Sequence, residues 1–204
     1  MSRRGLAAAC AAGAVAVVAV VAIKAGDKPR DPSVVRVELA GATSAAELAT
    51  GFVVAPGRVV TVAHVLEPDR RLVVRQGAVT RNARVLREDR RNDLALLAVP
   101  GLAAPAFAGE SARGNRLLVR RGVRTTTVPA SVRRPIRATV RGPDWGPYRR
   151  PALELAADVE LGDSGAPLVD SDGHVAGVLF ARAGNGRNTA YAVRASAIEP
   201  LLAR

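Results

Sequence analysis

Gly162-Asp163-Ser164-Gly165 sets a serine between glycines with a carboxylate beside it. A serine hydroxyl presented this way is a useful nucleophile only when a neighbouring base takes its proton. Two earlier fragments supply the missing parts: Ala63-His64, closing an apolar run, and Asp93-Leu94-Ala95-Leu96-Leu97. His64 is then the base, and Asp93 the acid that holds the imidazole in one tautomer and favours its charged form. Ser164 is the attacking group of a covalent acyl transfer. The backbone N–H groups of Gly162 and Ser164 complete the set as donors to an oxyanion, each such donor being worth roughly 3–4 kcal/mol in related chemistry. Glycine at 162 allows a sharp turn and a close approach to substrate. Singly, these residues have ordinary explanations as a capping aspartate, a turn serine and a strand-end histidine; in this order and context they point to one site. The second histidine, His174, follows Ser171-Asp172-Gly173, a hairpin-turn pattern, and is expected at the surface.

The elements that must position these groups read as short strands. Apolar runs at 34–39, 51–54, 59–62, 72–74, 83–86 and 94–99 are separated by turn signals such as Pro56-Gly57, the pattern of a small antiparallel barrel. A second set follows at 116–119, 136–140, 153–157, 167–169, 175–180 and 190–193, after an Ala-, Gly- and Pro-rich connection at 100–115. His64 and Asp93 fall in the first set and Ser164 in the second, so the reacting groups would meet between two halves. Residues 196–202 predict a short C-terminal helix capped by Ser196.

Composition bounds the setting. The chain has 204 residues, 49% of them apolar but only 3% aromatic, so the core must come from Val, Leu and Ala. Residues 6–23 carry no charge. A run of about 18 apolar residues just crosses a hydrocarbon layer about 30 Å thick. It reads as a membrane anchor or a cleavable secretion signal, the anchor being preferred. Basic residues lie on both sides of it and leave orientation open. Residues 24–33, with two prolines and five charges, read as a linker, and the folded domain is expected over 34–204. The single cysteine, Cys10, lies inside the span, so the domain has neither an internal disulfide nor a thiol nucleophile. One cysteine and two histidines cannot build the tetrahedral sites of zinc, and no metal or other cofactor is expected.

Three blocks carry a resemblance: Gly51-Phe52-Val53-Val54-Ala55-Pro56-Gly57 running on to Ala63-His64-Val65, then Asn92-Asp93-Leu94-Ala95-Leu96-Leu97, then Gly162 to Asp170. They resemble motif blocks of the chymotrypsin- or trypsin-like serine peptidases. The chain order His, Asp, Ser matches that family and neither subtilisin nor the α/β-hydrolases. They look closest to the membrane-anchored actinobacterial periplasmic peptidases, the mycobacterial acid-resistance protease group. The resemblance implies an all-β fold of two antiparallel six-stranded β-barrels, a short C-terminal helix and one preceding N-terminal transmembrane helix. It also implies a serine endopeptidase acting on protein or peptide substrates through an acyl-enzyme. It places residues 1–5 in the cytoplasm and the catalytic domain outside the cell membrane, or secreted if about 25 residues are removed. The chain departs from that group in its single candidate span and in lacking a cysteine pair, while the lack of a following PDZ-like module makes a chaperone-protease of the HtrA kind a poor fit.

Specificity is less constrained. Asp158 stands six residues before Ser164, a spacing that resembles that of the acid at the base of trypsin's primary pocket. The opposing wall would come from 178–184, with Phe180 and Arg182 as further pocket residues, and Arg182 could instead pair with Asp158. The family's activation by a freed N-terminus inserting near Asp163 has no visible cleavage motif before Val34, and Asp163 is expected to support the oxyanion loop. The formal net charge of +12 comes mostly from scattered pairs, among them Arg120-Arg121, Arg133-Arg134 and Arg149-Arg150. With few aromatics and no single patch, nucleic acid is not an expected partner. A solvated basic surface is the simplest account, and attraction to anionic lipid or wall polymer the functional one. The rival to an enzyme is a catalytically weak binding or sensing module that keeps the fold.

Overall fold

The computed structural model describes residues 33–45, 48–107, 109–140, 147–184 and 188–203. The predicted span 6–23 lies outside them. Among the described residues no helix is long and apolar enough to cross a membrane.

Strands β1 (Val34–Leu39), β2 (Leu48–Ala55), β3 (Arg58–Val62), β4 (Leu72–Gln76), β5 (Val79–Asp89) and β6 (Leu94–Ala98) close into an antiparallel barrel in the order β1-β2-β3-β6-β5-β4. Val and Leu suit a pleated, buried surface, and closure leaves no unpaired edge. Val37, Phe52, Val59, Val60, Val62, Leu94 and Leu97 are buried completely, and Phe52 meets Phe107 edge to face at 5.6 Å between ring centres. Each such aliphatic side chain contributes roughly 1.5–3 kcal/mol of burial, so the barrel has a core without a disulfide.

Strands β7 (Arg116–Arg121), β8 (Arg124–Pro129), β9 (Ser131–Val140), β10 (Tyr148–Ala156), β11 (Pro167–Val169), β12 (Val175–Arg182) and β13 (Ala190–Arg194) form a second antiparallel sheet in the order β8-β7-β11-β12-β13-β10-β9. Here the structure departs from the expected second six-stranded barrel. The extra strand, β8, is Arg124-Thr125-Thr126-Thr127-Val128-Pro129 with only Val128 buried, so no apolar run announces it. β8 and β9 are the two ends of the sheet order yet are separated in the chain by Ala130 alone, so the sheet must curl until its ends meet at that corner. Pro129 has no N–H to continue a ladder there.

β7 lies against β1 and β2, which joins the two halves. After β13 the chain makes a 3-10 turn, Ala195–Ala197, and one helical turn, α1 (Glu199–Leu202). The N-cap of the helix is Ile198, with no side-chain cap, and not Ser196, which lies in the 3-10 turn. Ile198 and Leu201 are buried in the same core as the first barrel, and Arg87 of β5 donates to the carbonyls of Pro200 and Leu201 at 3.4 Å.

Candidate active site

β3 and β6 pair antiparallel with Val62 opposite Leu94. The residues just beyond that pair, Ala63-His64 on one strand and Asp93 on the other, are therefore neighbours despite 29 positions of sequence. His64 Nδ1 lies 2.8 Å from Asp93 Oδ2, while Asp93 Oδ1 accepts the backbone N–H groups of Ala63 at 3.1 Å and His64 at 2.8 Å. Asp93 takes a left-handed backbone, φ 58°, a conformation aspartate tolerates better than most residues. One carboxylate thus fixes both the loop that carries the histidine and the ring itself. The arrangement selects the tautomer with hydrogen on Nδ1 and leaves Nε2 as the proton acceptor. His64 is 46% exposed and Asp93 11%, so the pair opens to solvent only at the imidazole.

Ser164 lies on the turn between β10 and β11, and a threonine of the first barrel brings it to this place. Thr50 of β2 donates its N–H to Ser164 O at 2.7 Å and its hydroxyl to Gly162 O at 3.2 Å, while Thr50 Oγ1 accepts the Arg120 N–H at 3.0 Å. Thr61 of β3, three residues before His64, donates to Thr50 O at 2.8 Å. The seam admits no side chain at Gly165: a Cβ there would collide with Thr50 O and lie 2.8 Å from Thr61 Oγ1, and the residue has φ +88°. Gly162 has φ +92°, the sharp turn its position requires. No described residue accepts a hydrogen bond from the N–H of Gly162 or Ser164, which leaves two donors beside the serine. Ser164 Oγ and His64 make no hydrogen bond to one another among the described residues; in ligand-free sites such contacts are commonly long and tighten with substrate.

The turn is propped from beneath. Asp163 is buried, its oxygens accepting from Arg121 Nε at 3.2 Å and Nη2 at 2.7 Å and from the Glu160 N–H at 2.9 Å. Hydrogen bonding to Asp163 holds the Arg121 guanidinium above its usual range; burial opposes this, and the charges of Asp163, Glu160 and Asp158 add to it. Asp158 is exposed on this side of the loop, and Arg182 is exposed as well; no ion pair joins the two among the described residues. Phe180 is buried. His174 is exposed, as its turn implies, with Nδ1 3.4 Å from Asp170 Oδ2. Asp170, Asp172 and His174 bring ligand atoms within 4.8 Å of one another, but Asp170 Oδ1 is occupied by the N–H groups of Asp172 and His174 that form the turn.

One residue beside the candidate site was not visible in the sequence. Arg150 of β10, half of a pair taken for solvated surface, is 1% exposed. Its Nη1 is 3.8 Å from Asp93 Oδ2 and its guanidinium carbon sits 4.7 Å above the Phe180 ring centre.

The profile of the trypsin-like peptidase domain matches residues 49–178, the stretch that holds His64, Asp93 and Ser164. The chain belongs to the trypsin-like serine peptidase family. Among curated proteins it is similar to "Serine protease Rv3671c" of Mycobacterium tuberculosis (strain ATCC 25618 / H37Rv), with 37% identity over 185 residues, 85% of this chain and 46% of the relative. Serine protease MT3772 of the CDC 1551 / Oshkosh strain matches with the same figures. This trypsin-like peptidase therefore spans about half the length of the curated relatives it matches. Among solved structures, the active form of the Rv3671c protease superposes with a TM-score of 0.72 at 33% identity, covering 85% of this chain and 80% of that one. The inactive form gives 0.70 at 34% identity, covering 85% and 88%. The protease domain of MamO from Magnetospirillum magneticum shares the fold at 20% identity and a TM-score of 0.70, covering 86% and 98%. The mycobacterial kinship implied by the three motif blocks is thus found over most of the folded part.

Proposed function

We propose that this chain is a membrane-tethered, extracytoplasmic serine endopeptidase with His64, Asp93 and Ser164 as its triad. The observation that carries the reading is the 2.8 Å contact of His64 with Asp93, clamped by two backbone N–H groups and set against the serine turn through Thr50. In the reaction Ser164 Oγ attacks the scissile carbonyl carbon while its proton passes to His64 Nε2. The N–H groups of Gly162 and Ser164 receive the oxyanion. His64 then protonates the leaving amine, and water repeats the sequence to release the acyl group from Ser164. Asp93 keeps its charge throughout and stabilises the imidazolium that forms. The mycobacterial relatives are named serine proteases, which supports the class of reaction. The apolar run 6–23 supports the tether. Asp158 and Arg182, both exposed, remain the candidate determinants of the residue preceding the cleaved bond; Phe180, buried next to Arg150, would act on the pocket from behind.

Labelling of the full chain in detergent with a fluorophosphonate serine probe tests this. The wild type is expected to react. Ser164→Ala and His64→Ala should abolish labelling, as loss of either group in a related triad costs about 10⁶ in kcat. A folded wild type that fails to react would favour the binding or sensing module instead.

A further inference from the structure

Strands place successive side chains on opposite faces. On β10, Leu153 and Leu155 enter the core of the second sheet, while Arg150 and Ala152 share the other face, and Ala152 packs with the core of the first barrel. Arg150 is among the largest fully buried side chains of the molecule. A buried guanidinium is costly unless a counter-charge lies close by. The carboxylate that it faces is Asp93, whose Oδ1 is fully engaged by backbone and whose Oδ2 already accepts from His64. From β12, Phe180 turns its ring to the guanidinium, and Tyr191 of β13 stacks behind Phe180 at 6.5 Å between ring centres. Among the described residues, the charged or titratable groups in contact here are His64 after β3, Asp93 before β6 and Arg150 on β10, with the Phe180 and Tyr191 rings alongside.

We infer that Arg150 is a positioning residue for the peptidase reaction: a buried cation, supplied by the second half, that anchors the Asp93 carboxylate and so fixes His64 for its task. The inference rests on the reading of Asp93 and His64 as orienting acid and base. At 3.8 Å the link is an ion pair beyond hydrogen-bond length, and it acts by charge. With Oδ1 held by backbone and Oδ2 drawn by both the imidazole and the guanidinium, the carboxylate is held against rotation away from Nδ1. The same link ties the halves together at the His64–Asp93 pair, since Asp93 belongs to one and Arg150 to the other.

The test uses the full chain in detergent and two readouts. The first is fluorophosphonate labelling, split into the limiting rate and the half-saturating probe concentration. The second is the far-downfield proton NMR signal of the His64 Nδ1–H bound to Asp93, easily assigned in a chain with two histidines. Arg150→Met, which keeps length and removes charge, should lower the limiting rate about tenfold or more, the loss usual for outer-shell partners of an oriented histidine, with half-saturation unchanged. The downfield signal should weaken or disappear. Arg150→Lys should restore most of both. A folded Arg150→Met chain with wild-type rate and signal overturns the inference, and so does an Arg150→Lys chain that folds but behaves like Arg150→Met. Should the Met variant not fold, stability decides. Asp93→Asn removes the negative charge that the buried cation faces and should lower the urea midpoint by about 1 M, with Asp93→Asn/Arg150→Gln recovering the loss. An Asp93→Asn chain as stable as wild type overturns the inference. If wild type does not react with the probe, the hydrolytic reading fails by itself, while the stability arm still reports on the Arg150–Asp93 link.

Discussion

Asp163 and Asp93 are both buried carboxylates next to groups assigned to the reaction, and each faces an arginine of the second sheet, but the two arginines reach them differently. Arg121 meets Asp163 with two nitrogens at hydrogen-bonding distance while its own side chain stays 33% exposed. Arg150 is sealed from solvent and stands 3.8 Å from Asp93, lying on an aromatic ring. The first pair belongs wholly to the second half and shapes one turn, so it is local scaffolding that keeps the Gly162 and Ser164 N–H groups in place. The second pair crosses between halves and holds a group whose other contacts all come from the first barrel. A bidentate pair fixes geometry through direction; a buried pair without a hydrogen bond works through charge alone.

The harshest way to break the comparison is to pull the halves apart where both pairs depend on their seam. Gly165→Ala sets a methyl against Thr50 O at a positive φ, and should cost about 3 kcal/mol or more in urea unfolding together with most fluorophosphonate labelling. Arg121→Met separates the pairs. Breaking a buried ion pair costs about 3–5 kcal/mol, and discounting for the exposure of Arg121 leaves about 2–3 kcal/mol. Labelling should fall by no more than the 10² to 10³ that loss of an oxyanion donor costs. The downfield His64 signal should survive in Arg121→Met, whereas Arg150→Met should lose it. Thr50→Val sharpens the contrast at smaller cost. It removes the acceptor of the buried Arg120 N–H and the donor to Gly162 O, for about 1–3 kcal/mol by denaturation, without touching either arginine pair.

The difference between the two pairs also marks what the sequence could reveal. Val59 to His64 and Asp93 to Leu97 were legible because apolar runs bounded by turn residues fix both strand ends, and the β3–β6 register then brings His64 to Asp93 with no further information. The serine turn was legible from its glycines: Gly162 takes the positive φ of the sharp turn expected there, and Gly165 has one as well. Arg120-Arg121 and Arg149-Arg150 were read as solvated surface because paired charges usually are. A strand sends one member of each pair to each face, however, and the face that carries Leu118 and Ala152 packs with the core of the first barrel. Arg120 and Arg150 are accordingly buried, Arg121 and Arg149 are not. Which face is interior depends on what packs above the sheet, and local composition does not carry that. β8 was missed for the opposite reason: its threonines pair along β7 through the backbone while their side chains stay largely in solvent.

A third aspartate, held without any arginine, supplies the weakest and cleanest comparison. Burial alone would push the Asp170 carboxyl up. The hydrogen bond with Ser111, the N–H groups of His174 and Asp172 and the charge of His174 together outweigh it and hold the group below its usual range. A carboxylate whose folded value is depressed adds stability above its unfolded value of about 3.9 and loses that contribution as pH falls through the folded value. Asp170→Asn should therefore lower the urea midpoint by about 0.2–0.3 M at pH 7, a size typical of partly exposed charged contacts. The gap between wild type and variant should hold steady down to about pH 5 and close below about pH 4, as the wild-type carboxyl takes up its proton. A gap that persisted unchanged at pH 2.5 would mean that Asp170 shapes the β11–β12 turn by its hydrogen-bonding geometry and not by its charge. Charge would then matter to the fold only where an arginine faces the carboxylate, as at Asp93 and Asp163.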